Sequence, residues 1–381
     1  MNDPSSTPSL RTRRFERILL VKPSSLGDII HALPLLHGLR TRYPDASISW
    51  LVAEPFAPLI AGHPQLDDVI LFDRKRYSMV GRTLEPSVAF IEFVHALRAR
   101  RFDLVIDAQG LFRSGFLAMS TGAAVRIGFA ATRELAWVFY THRVRVDDPD
   151  LHAAEKNCRL GRPLNLADEP LVFDLAVTSG ERETAGKLLA DAGVDPTGRF
   201  LAVLPGARWE TKRWPASRFA ALIDRAAREL GIPAVLLGSP DERELCDAVA
   251  CQCDSKPANL TGQTQIRDLV AILDRASAVV THDSAPMHIA AALGRPLVAI
   301  LGPTNRHRTG PYQMPSAVIQ ADLDCVPCYL KRLSQCPYDH ECMQTVDVAE
   351  VIRGVAACVA PVADRRGDPP DRFRQFDEKA C

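Results

Sequence analysis

The feature that most constrains this chain is an alternation of short, β-branched apolar runs with longer helical stretches, and the alternation occurs twice. Each run is followed by a turn and then by a helical pattern, which is typical of parallel sheets covered by helices on both faces. The predicted strands are residues 18–22, 48–52, 69–72 and 104–107 in the first set and 201–204, 234–237, 278–281 and 297–301 in the second. The sequence therefore predicts two doubly wound, Rossmann-like α/β domains.

The length of the chain also indicates two domains, because a domain with one hydrophobic core typically has roughly 150 residues and this chain has 381. Apolar periodicity lapses over residues 164–183, where Pro, Asp and Glu accumulate, so we place the hinge there. The predicted domains are residues 15–170 and 171–360, and the charged, proline-containing residues 361–381 predict a disordered tail. Two such domains facing each other would bind ligands in the cleft outside the carboxyl ends of their strands.

Charge and hydropathy exclude several classes of protein. The chain has 46 basic and 46 acidic residues, so it lacks the overall positive charge of a nucleic-acid-binding protein. Attraction to anions must come from local clusters, and the two clusters are Arg98, Arg100 and Arg101, and Arg208, Lys212 and Arg213. The early apolar run 18–21 is too short for a signal peptide or a membrane span, so we expect a cytoplasmic protein.

A short loop with the sequence Lys-Pro-Ser-Ser-Leu-Gly-Asp, residues 22–28, follows the first predicted strand. Gly27 allows a tight turn, and Asp28 projects a carboxylate from the carboxyl end of that strand. Such a carboxylate can accept a proton from an attacking hydroxyl. The alternative is structural, because Ser25 and Asp28 have the spacing of a capping box at a helix start. Spacing alone leaves both interpretations open.

A second loop, residues 205–214, follows the strand at 201–204 and is basic. It contains Gly206 and the three cations Arg208, Lys212 and Arg213. A lysine point charge and forked arginine donors suit a diphosphate, and they neutralise the charge that grows as a nucleotide leaves. The alternative is a solvated basic loop with Trp209 and Trp214 packed beneath it.

A third loop, residues 282–288, follows the strand at 278–281 and leads into a helix of small residues. The amides of residues 284–287 would lie at the positive end of this helix, which suits a phosphate. Asp283 and His288 are candidates for holding a sugar or phosphate oxygen. The alternatives are a capping aspartate and a buried core histidine. Upstream, Glu242 follows the strand at 234–237, a position where a carboxylate commonly binds ribose hydroxyls.

Four ordered motifs resemble those of family 9 glycosyltransferases: K-P-S-S-L-G-D at 22–28, D-A-Q-G-L-F-R-S at 107–114, K-R-W-P at 212–215 and D-S-A-P-M-H at 283–288. The resemblance extends from about residue 17 to residue 311. More narrowly, the chain is similar to ADP-heptose:lipopolysaccharide heptosyltransferases. Linking segments such as Arg133-Glu134 and Phe139-Tyr140 are similar to those of the type I enzymes, which act on the inner Kdo.

The resemblance implies a GT-B fold in which the C-terminal domain binds the nucleotide sugar and the N-terminal domain holds the acceptor. It implies transfer with inversion and with no metal or other cofactor. The implied donor is ADP-heptose, and the implied acceptor is Kdo-lipid A at the cytoplasmic face of the inner membrane, with no nucleic-acid partner. That anionic acceptor would also give the arginines at 98, 100 and 101 a partner, although a solvated helix face explains them equally.

On matched positions, the resemblance makes Asp28 the general base and Lys212 a ligand of the diphosphate. The residues implied in donor binding are Gly27, Arg208, Lys212, Glu242, Asp283, Ser284, Ala285, Met287 and His288. The residues implied in acceptor binding are Ser25, Gln109 and Arg113. The chain departs from the pattern in two places: Ala207 and Arg208 replace the usual hydroxyl residues of type I enzymes, and Ala285 replaces a usual glycine.

Four of the ten cysteines lie within eighteen positions: Cys325, Cys328, Cys336 and Cys342. The first pair has the C-x-x-C spacing of a zinc knuckle, and the second pair is more loosely spaced. A structural zinc site is one hypothesis, iron–sulfur ligation is a second, and buried thiols in a compact loop are the plain alternative.

Other functions fit the same motifs. A family 9 transferase with another donor or acceptor, or a nucleotide-sugar epimerase of GT-B fold, would need similar nucleotide contacts. A non-catalytic nucleotide-sugar-binding protein would bind ADP without turnover. The presence of both Asp28 and Lys212 favours a catalyst.

Overall fold

The computed structural model describes residues 9–166 and 170–360, and the chain divides into two compact units, Met1–Ala176 and Val177–Cys381. This division lies six residues beyond the boundary predicted at 170/171. The predicted tail, residues 361–381, lies outside the described residues. Within the described ranges, no helix is both long enough and apolar enough to cross a membrane.

The first unit is built on a parallel sheet of six strands. The strands are β1 Arg17–Val21, β2 Ser47–Ala53, β3 Asp68–Phe72, β4 Leu104–Asp107, β5 Val125–Phe129 and β6 His142–Val144. The helices are α1 Leu26–Ile30, α2 Leu33–Arg42, α3 Leu84–Ala99, α4 Phe112–Ser120 and α5 Ala153–Cys158. Short 3-10 helices are Glu54–Leu59, Arg76–Met79, Ala136–Phe139 and Arg159–Leu164.

The strand order β3-β2-β1-β4-β5-β6 places β1 beside both β2 and β4, with Ile18 opposite Ile48 on one side and Leu104 on the other. The chain therefore moves outward from β1 in one direction and from β4 in the other, so the loops after these two strands diverge and leave a crevice at the carboxyl edge. A core that includes Leu19, Val105 and Leu117 fills the space between the sheet and the helices α3 and α4.

The second unit repeats this plan. Its strands are β7 Leu201–Leu204, β8 Ala234–Leu236, β9 Ala258–Asn259, β10 Ala278–His282, β11 Leu297–Leu301 and β12 Val318–Gln320. Its helices are α6 Ser179–Asp191, α7 Ala216–Leu230, α8 Arg243–Cys251, α9 Ile266–Arg275, α10 Ala285–Ala292, α11 Arg306–Thr309, α12 Glu341–Gln344 and α13 Val348–Val359. The 3-10 helices are Glu210–Lys212, Pro240–Glu242, Pro315–Ala317 and Leu333–Gln335. The order β12-β11-β10-β7-β8-β9 puts the corresponding crevice between β7 and β10.

All eight predicted strands are present, and each of their ends agrees with the structure to within one residue. Four strands were not predicted. β6, β9 and β12 have only two or three residues, and β5 is interrupted by Arg126 and Gly128, so none gives a continuous apolar run. The predicted hinge was wrong over its last residues, because α6 begins at Ser179, where Thr178 and Glu181 form a capping box.

Candidate active site

Asp28 lies in the loop that leaves β1 at the carboxyl edge of the first sheet. Its Oδ2 accepts hydrogen bonds from the backbone N–H of Ser25 at 3.0 Å and from the Ser25 hydroxyl at 2.6 Å. Ser25 is the N-cap of α1, so the capping interaction expected from the spacing is present. The Asp28 side chain nevertheless keeps 46% of its surface exposed. Capping therefore fixes this carboxylate without removing it from solvent.

Lys22 supplies a buried cation beneath the same loop, a feature that sequence reasoning missed. Its side chain is 7% exposed, its Nζ donates to the carbonyl of Ala108 at 2.9 Å, and Nζ lies 3.9 Å from Asp28 Oδ1. Burial lowers the pKa of Lys22, whereas the nearby carboxylates of Asp28 and Asp107 raise it. A positive charge at this distance favours the ionised form of Asp28.

Asp107 ends β4 and holds the neighbouring loop. It is fully buried and accepts hydrogen bonds from the Tyr140 hydroxyl at 2.6 Å and from the amides of Gln109 and Gly110 at 2.8 and 3.1 Å. Burial raises the pKa of Asp107, and these hydrogen bonds oppose the rise. The loop conformation brings Gln109 to the first site, where its Oε1 accepts from the Ser24 amide at 3.4 Å.

The other first-unit candidates are less directly connected. Arg113 is exposed in the first turn of α4, after the Asp107 loop. Gly27 is buried inside α1, where its carbonyl accepts from the amide of His31 at 3.0 Å. The structure thus brings together Ser25, Asp28 and Gln109 at the crevice between β1 and β4.

In the second unit, an ion pair joins the loops that follow β7 and β10. Lys212 Nζ donates to Asp283 Oδ2 at 2.8 Å and to the Asp283 carbonyl at 3.1 Å. The same Nζ lies 4.5 Å from the centre of the Trp209 ring, and the Thr309 hydroxyl donates to Asp283 Oδ2 at 3.2 Å. Lys212 is therefore held at the crevice and is not a solvated side chain. Arg208, in contrast, is exposed.

His282 connects the same two loops from inside the core. The amide of Trp214 donates to its Nε2 at 2.9 Å, so Nδ1 carries the proton and faces the carbonyl of Gly206 at 3.4 Å. Burial lowers the pKa of His282 to about 4. The imidazole is consequently neutral near pH 7, and it fixes both ends of the basic loop to β10. No sequence pattern predicts a role for His282, because both of its contacts, Trp214 and Gly206, are distant in the chain.

Glu242 lies against the start of the basic loop. Its Oε2 accepts from the amide of Ser239 at 2.8 Å, and a Cβ built on Gly206 would lie 2.0 Å from its Oε1. A side chain at this position would displace the Glu242 carboxylate, so Gly206 leaves room for it. Glu242, Lys212 and Asp283 accordingly surround one loop at the carboxyl edge of the second sheet.

The sequence predicted that the four amides of residues 284–287 are all available at the start of α10, and the structure leaves only two of them. Pro286 has no N–H, and the amide of Met287 donates to the carbonyl of Ser284 at 3.1 Å, which leaves the amides of Ser284 and Ala285 as candidate phosphate donors. The Met287 side chain is fully buried, so it packs in the core. His288 is also buried, at 8% exposure.

The cysteine segment does not form a recognisable metal site. Within residues 9–166 and 170–360, no group of three or more His, Cys, Asp or Glu side chains is arranged to hold a metal ion. Cys325, Cys328, Cys336 and Cys342 are free thiols, with Cys328 exposed and Cys342 buried in α12. Burial, together with the other three thiols, raises the pKa of Cys342 to about 11. The zinc hypothesis therefore gains no support from the structure.

We predict that the free energy of unfolding of His282→Gln depends less on pH below 6.5 than that of the parent protein does. The folded-state pKa of about 4 lies below the ordinary 6.5, so stability is full above pH 6.5 and falls as the pH drops towards 4. The free energy of unfolding of the parent should fall by roughly 3 kcal/mol between pH 6.5 and 4, as follows from the size of the pKa shift. Urea unfolding of the parent and variant across this window measures it. His307→Gln, a change at an exposed histidine of the same unit, is the control and should keep the parental slope. Equal slopes in the parent and His282→Gln would contradict the assignment.

Comparison with known proteins identifies the family of the chain. The family model described as glycosyltransferase family 9 (heptosyltransferase) matches residues 90–338. Lipopolysaccharide heptosyltransferase 1 of Pseudomonas aeruginosa is 32% identical over 329 residues, which cover 85% of this chain and 89% of that protein. Lipopolysaccharide heptosyltransferase 1 of Escherichia coli K12 is 28% identical over 309 residues, covering 80% and 93% of the two chains.

Solved structures match over almost the whole chain. A family 9 glycosyltransferase from Veillonella parvula superposes with a TM-score of 0.75 and 25% identity, covering 91% of this chain and 97% of that one. The E. coli heptosyltransferase WaaC with ADP has a TM-score of 0.70 and 26% identity, covering 90% and 99%. These matches, with the two parallel six-stranded sheets, confirm the predicted GT-B fold. The chain therefore belongs to glycosyltransferase family 9 and is a glycosyltransferase.

Proposed function

We propose that this enzyme transfers heptose from ADP-heptose to the Kdo-containing inner core of lipopolysaccharide, with inversion and without a metal ion. The observation that carries the proposal is the Asp28 carboxylate, which is fixed by Ser25, backed by the Lys22 cation and still exposed. The names of the relatives support the donor and the acceptor: lipopolysaccharide heptosyltransferase 1 in P. aeruginosa, and WaaC of E. coli solved with ADP and with ADP-2-deoxy-2-fluoro heptose.

In the proposed mechanism, Asp28 accepts the proton of the acceptor hydroxyl while that oxygen attacks the anomeric carbon. The attack comes from the face opposite the leaving diphosphate, so the configuration inverts through an oxocarbenium-like state. Ser25 holds Oδ2 by two hydrogen bonds, which fixes the orientation of the carboxylate. Lys22 keeps the carboxylate ionised until the proton is transferred.

The second unit would bind the donor. Lys212 and the Ser284 and Ala285 amides would stabilise the negative charge that develops on ADP as the glycosidic bond breaks. Asp283 orients Lys212, because its carboxylate and its backbone carbonyl both accept hydrogen bonds from Nζ. Glu242, whose carboxylate lies beside Gly206, would accept hydrogen bonds from the ribose hydroxyls.

The acceptor would bind the first unit. Gln109 lies beside the Asp28 loop and offers an amide for sugar hydroxyls, and Arg113 offers a cation for the Kdo carboxylate or a lipid phosphate. Because such an acceptor carries a lipid, we propose that the enzyme works at the cytoplasmic face of the inner membrane as a peripheral protein.

One experiment tests the reaction as a whole. The enzyme is incubated with ADP-heptose in the presence and absence of delipidated Kdo acceptor, with a chelator added, and ADP and the glycan products are followed by mass spectrometry. We expect ADP release that depends on the acceptor and a product larger by one heptose. Rapid donor conversion without acceptor would favour an epimerase, and tight ADP binding without turnover would favour a sensor. If the enzyme were active only with another nucleotide sugar, that sugar would replace ADP-heptose as the proposed donor.

Asp28→Asn tests the general base. Asparagine keeps the size and an oxygen acceptor but loses the basic carboxylate, so transfer should slow by roughly 10²–10⁴-fold at saturating substrates. ADP affinity and melting temperature should change little. Asp45→Asn, a change at an exposed carboxylate of the same unit, serves as the control and should retain the parental rate. If Asp28→Asn kept more than about a tenth of that rate, another group would have to take the proton.

Lys212→Ala tests the diphosphate ligand. Removing a charge that acts on the leaving group should cost about 2.7–4 kcal/mol in the transition state, or roughly 10²–10³-fold in turnover. Lys331→Ala is a matched control, because Lys331 Nζ lies 5.2 Å from the centre of the same Trp209 ring. Steady-state kinetics with ADP-heptose compare the two. Turnover by Lys212→Ala within a few-fold of the control would exclude the assigned role.

Lys22→Met tests whether Lys22 stabilises the ionised form of Asp28 or only supports the structure of the loop. Without the neighbouring positive charge, the Asp28 carboxylate should gain its proton at higher pH. The acid limb of the pH–rate profile should therefore shift towards neutral pH. A lower rate with an unmoved profile would mean that Lys22 only supports the loop through Ala108.

A further inference from the structure

Helix α3 is apolar on the side that faces away from the sheet as well as on the side that packs. Phe90, Phe93 and Leu97 belong to or pack against the core of the first unit. On the other side, Leu84 is 81%, Val88 45% and Ile91 57% exposed. The spacing i, i+4, i+7 puts these three residues in one stripe along the helix. An ordinary surface helix has polar residues on this side, so the stripe requires an explanation.

The turn before α3 extends this surface. Met79 and Val80 are each 39% exposed, and the turn is tied to the helix by two hydrogen bonds: the Gly81 amide donates to the Ser87 hydroxyl at 3.0 Å, and that hydroxyl donates to the Thr83 carbonyl at 2.7 Å. We refer to the exposed residues Met79, Val80, Leu84, Val88 and Ile91 as the α3 apolar face.

Basic residues gather at one end of the α3 apolar face. Residues 74–92 contain four basic side chains, all before the helix, and two acidic ones. Arg76 pairs with Glu85. Arg74, Lys75 and Arg82 are exposed and form no ion pair within residues 9–166 and 170–360. An exposed apolar stripe beside uncompensated cations has the chemistry of a surface that binds anionic lipid.

The topology places this surface at the same edge of the sheet as the loops that carry Asp28 and Gln109. The connection from β3 to α3 starts at the carboxyl end of β3, and in a parallel sheet this is the same edge as the carboxyl ends of β1 and β4. The cations and the first turn of α3 therefore lie at the edge that carries Asp28 and Gln109. A bilayer in contact with this end of the helix would present its headgroups to that edge.

We propose that the α3 apolar face inserts into the interface of an anionic phospholipid bilayer, with Arg74, Lys75 and Arg82 bound to lipid phosphates. The choice of a bilayer as the partner rests in part on the proposed function, which requires a lipid-linked acceptor. The surface itself is defined by the exposed apolar residues and by the neighbouring positive charges, which complement lipid phosphates. Leucine, valine and isoleucine side chains enter the acyl boundary, and the long basic side chains reach the phosphates above it.

Vesicle flotation tests the proposal with the full chain and no substrate. The probes are vesicles of phosphatidylethanolamine with phosphatidylglycerol and vesicles of phosphatidylcholine alone. The parent should float with the anionic vesicles and much less with the zwitterionic ones, and added salt should weaken binding. The combined variant Leu84→Gln, Val88→Gln and Ile91→Gln should lower the partition coefficient about tenfold or more. Arg74→Gln, Lys75→Gln and Arg82→Gln together should abolish the preference for anionic lipid.

The controls separate lipid binding from misfolding and from self-association. Changing the exposed apolar residues Tyr329, Leu333 and Tyr338 of the second unit to Gln alters the same number of side chains and should leave flotation unchanged. Circular dichroism and the transfer rate with delipidated acceptor should be parental in the α3 triple variant.

Three results would overturn the proposal: no flotation of the parent, flotation of the α3 triple variant within about twofold of the parent, or a parental dimer that the triple variant dissociates without any vesicle binding. The last result would assign the face to a second copy of the chain. Because the vesicles contain neither donor nor acceptor, failed flotation leaves the proposed reaction intact, and failed transfer to delipidated acceptor leaves the lipid-binding surface intact.

Discussion

The parallel pairing of β1 with β4 and of β7 with β10 is the constraint on which the rest of each unit depends. Parallel strands require crossover connections, so every loop that follows a strand reaches the same edge of the sheet. Where neighbouring strands lead the chain in opposite directions, their loops separate and leave a crevice. The Asp28 loop meets Gln109 in the first unit, through the Ser24 amide, and Lys212 meets Asp283 in the second, because each pair of loops follows such neighbouring strands.

Both crevices combine a lysine with an aspartate, but they expose the carboxylate differently. Lys22 is buried 3.9 Å from Asp28, whose side chain is nearly half exposed, whereas Lys212 is 2.8 Å from Asp283, which is buried. A base must be accessible to the hydroxyl from which it takes a proton, and a charge that orients a cation works best when it is shielded from water. Removing one partner of a buried pair is costly, about 3–5 kcal/mol, so the second pair also fixes its two loops.

The sequence predicted the fold and the loops better than it predicted the contacts. The eight predicted strands follow from apolar runs, but β9, with two residues, gives no such run and is formed by pairing with β8. Asp28 and Lys212 were predicted as site residues because their motifs are local. Lys22 and His282 were missed because their roles depend on residues that are 86 and 68 positions away, Ala108 and Trp214. The Met287 amide was wrongly expected to be available, since a turn at a helix start can satisfy it.

An aromatic layer connects the core-packing side of helix α3 to the start of helix α4, which follows the Gln109 loop. Phe90 of α3 stacks on Phe116 of α4 at 6.1 Å between ring centres, Phe116 contacts Phe139 at 6.3 Å, and Phe139 contacts Phe112 at 5.1 Å. Phe112 is the residue before Arg113, and its amide donates to Glu134 at 3.1 Å. Close-packed rings resist displacement, so the position of the acceptor loop relative to α3 is fixed by the core of the first unit. If the α3 apolar face binds a bilayer, as proposed, this connection fixes the height of the loop after β4 above the lipid.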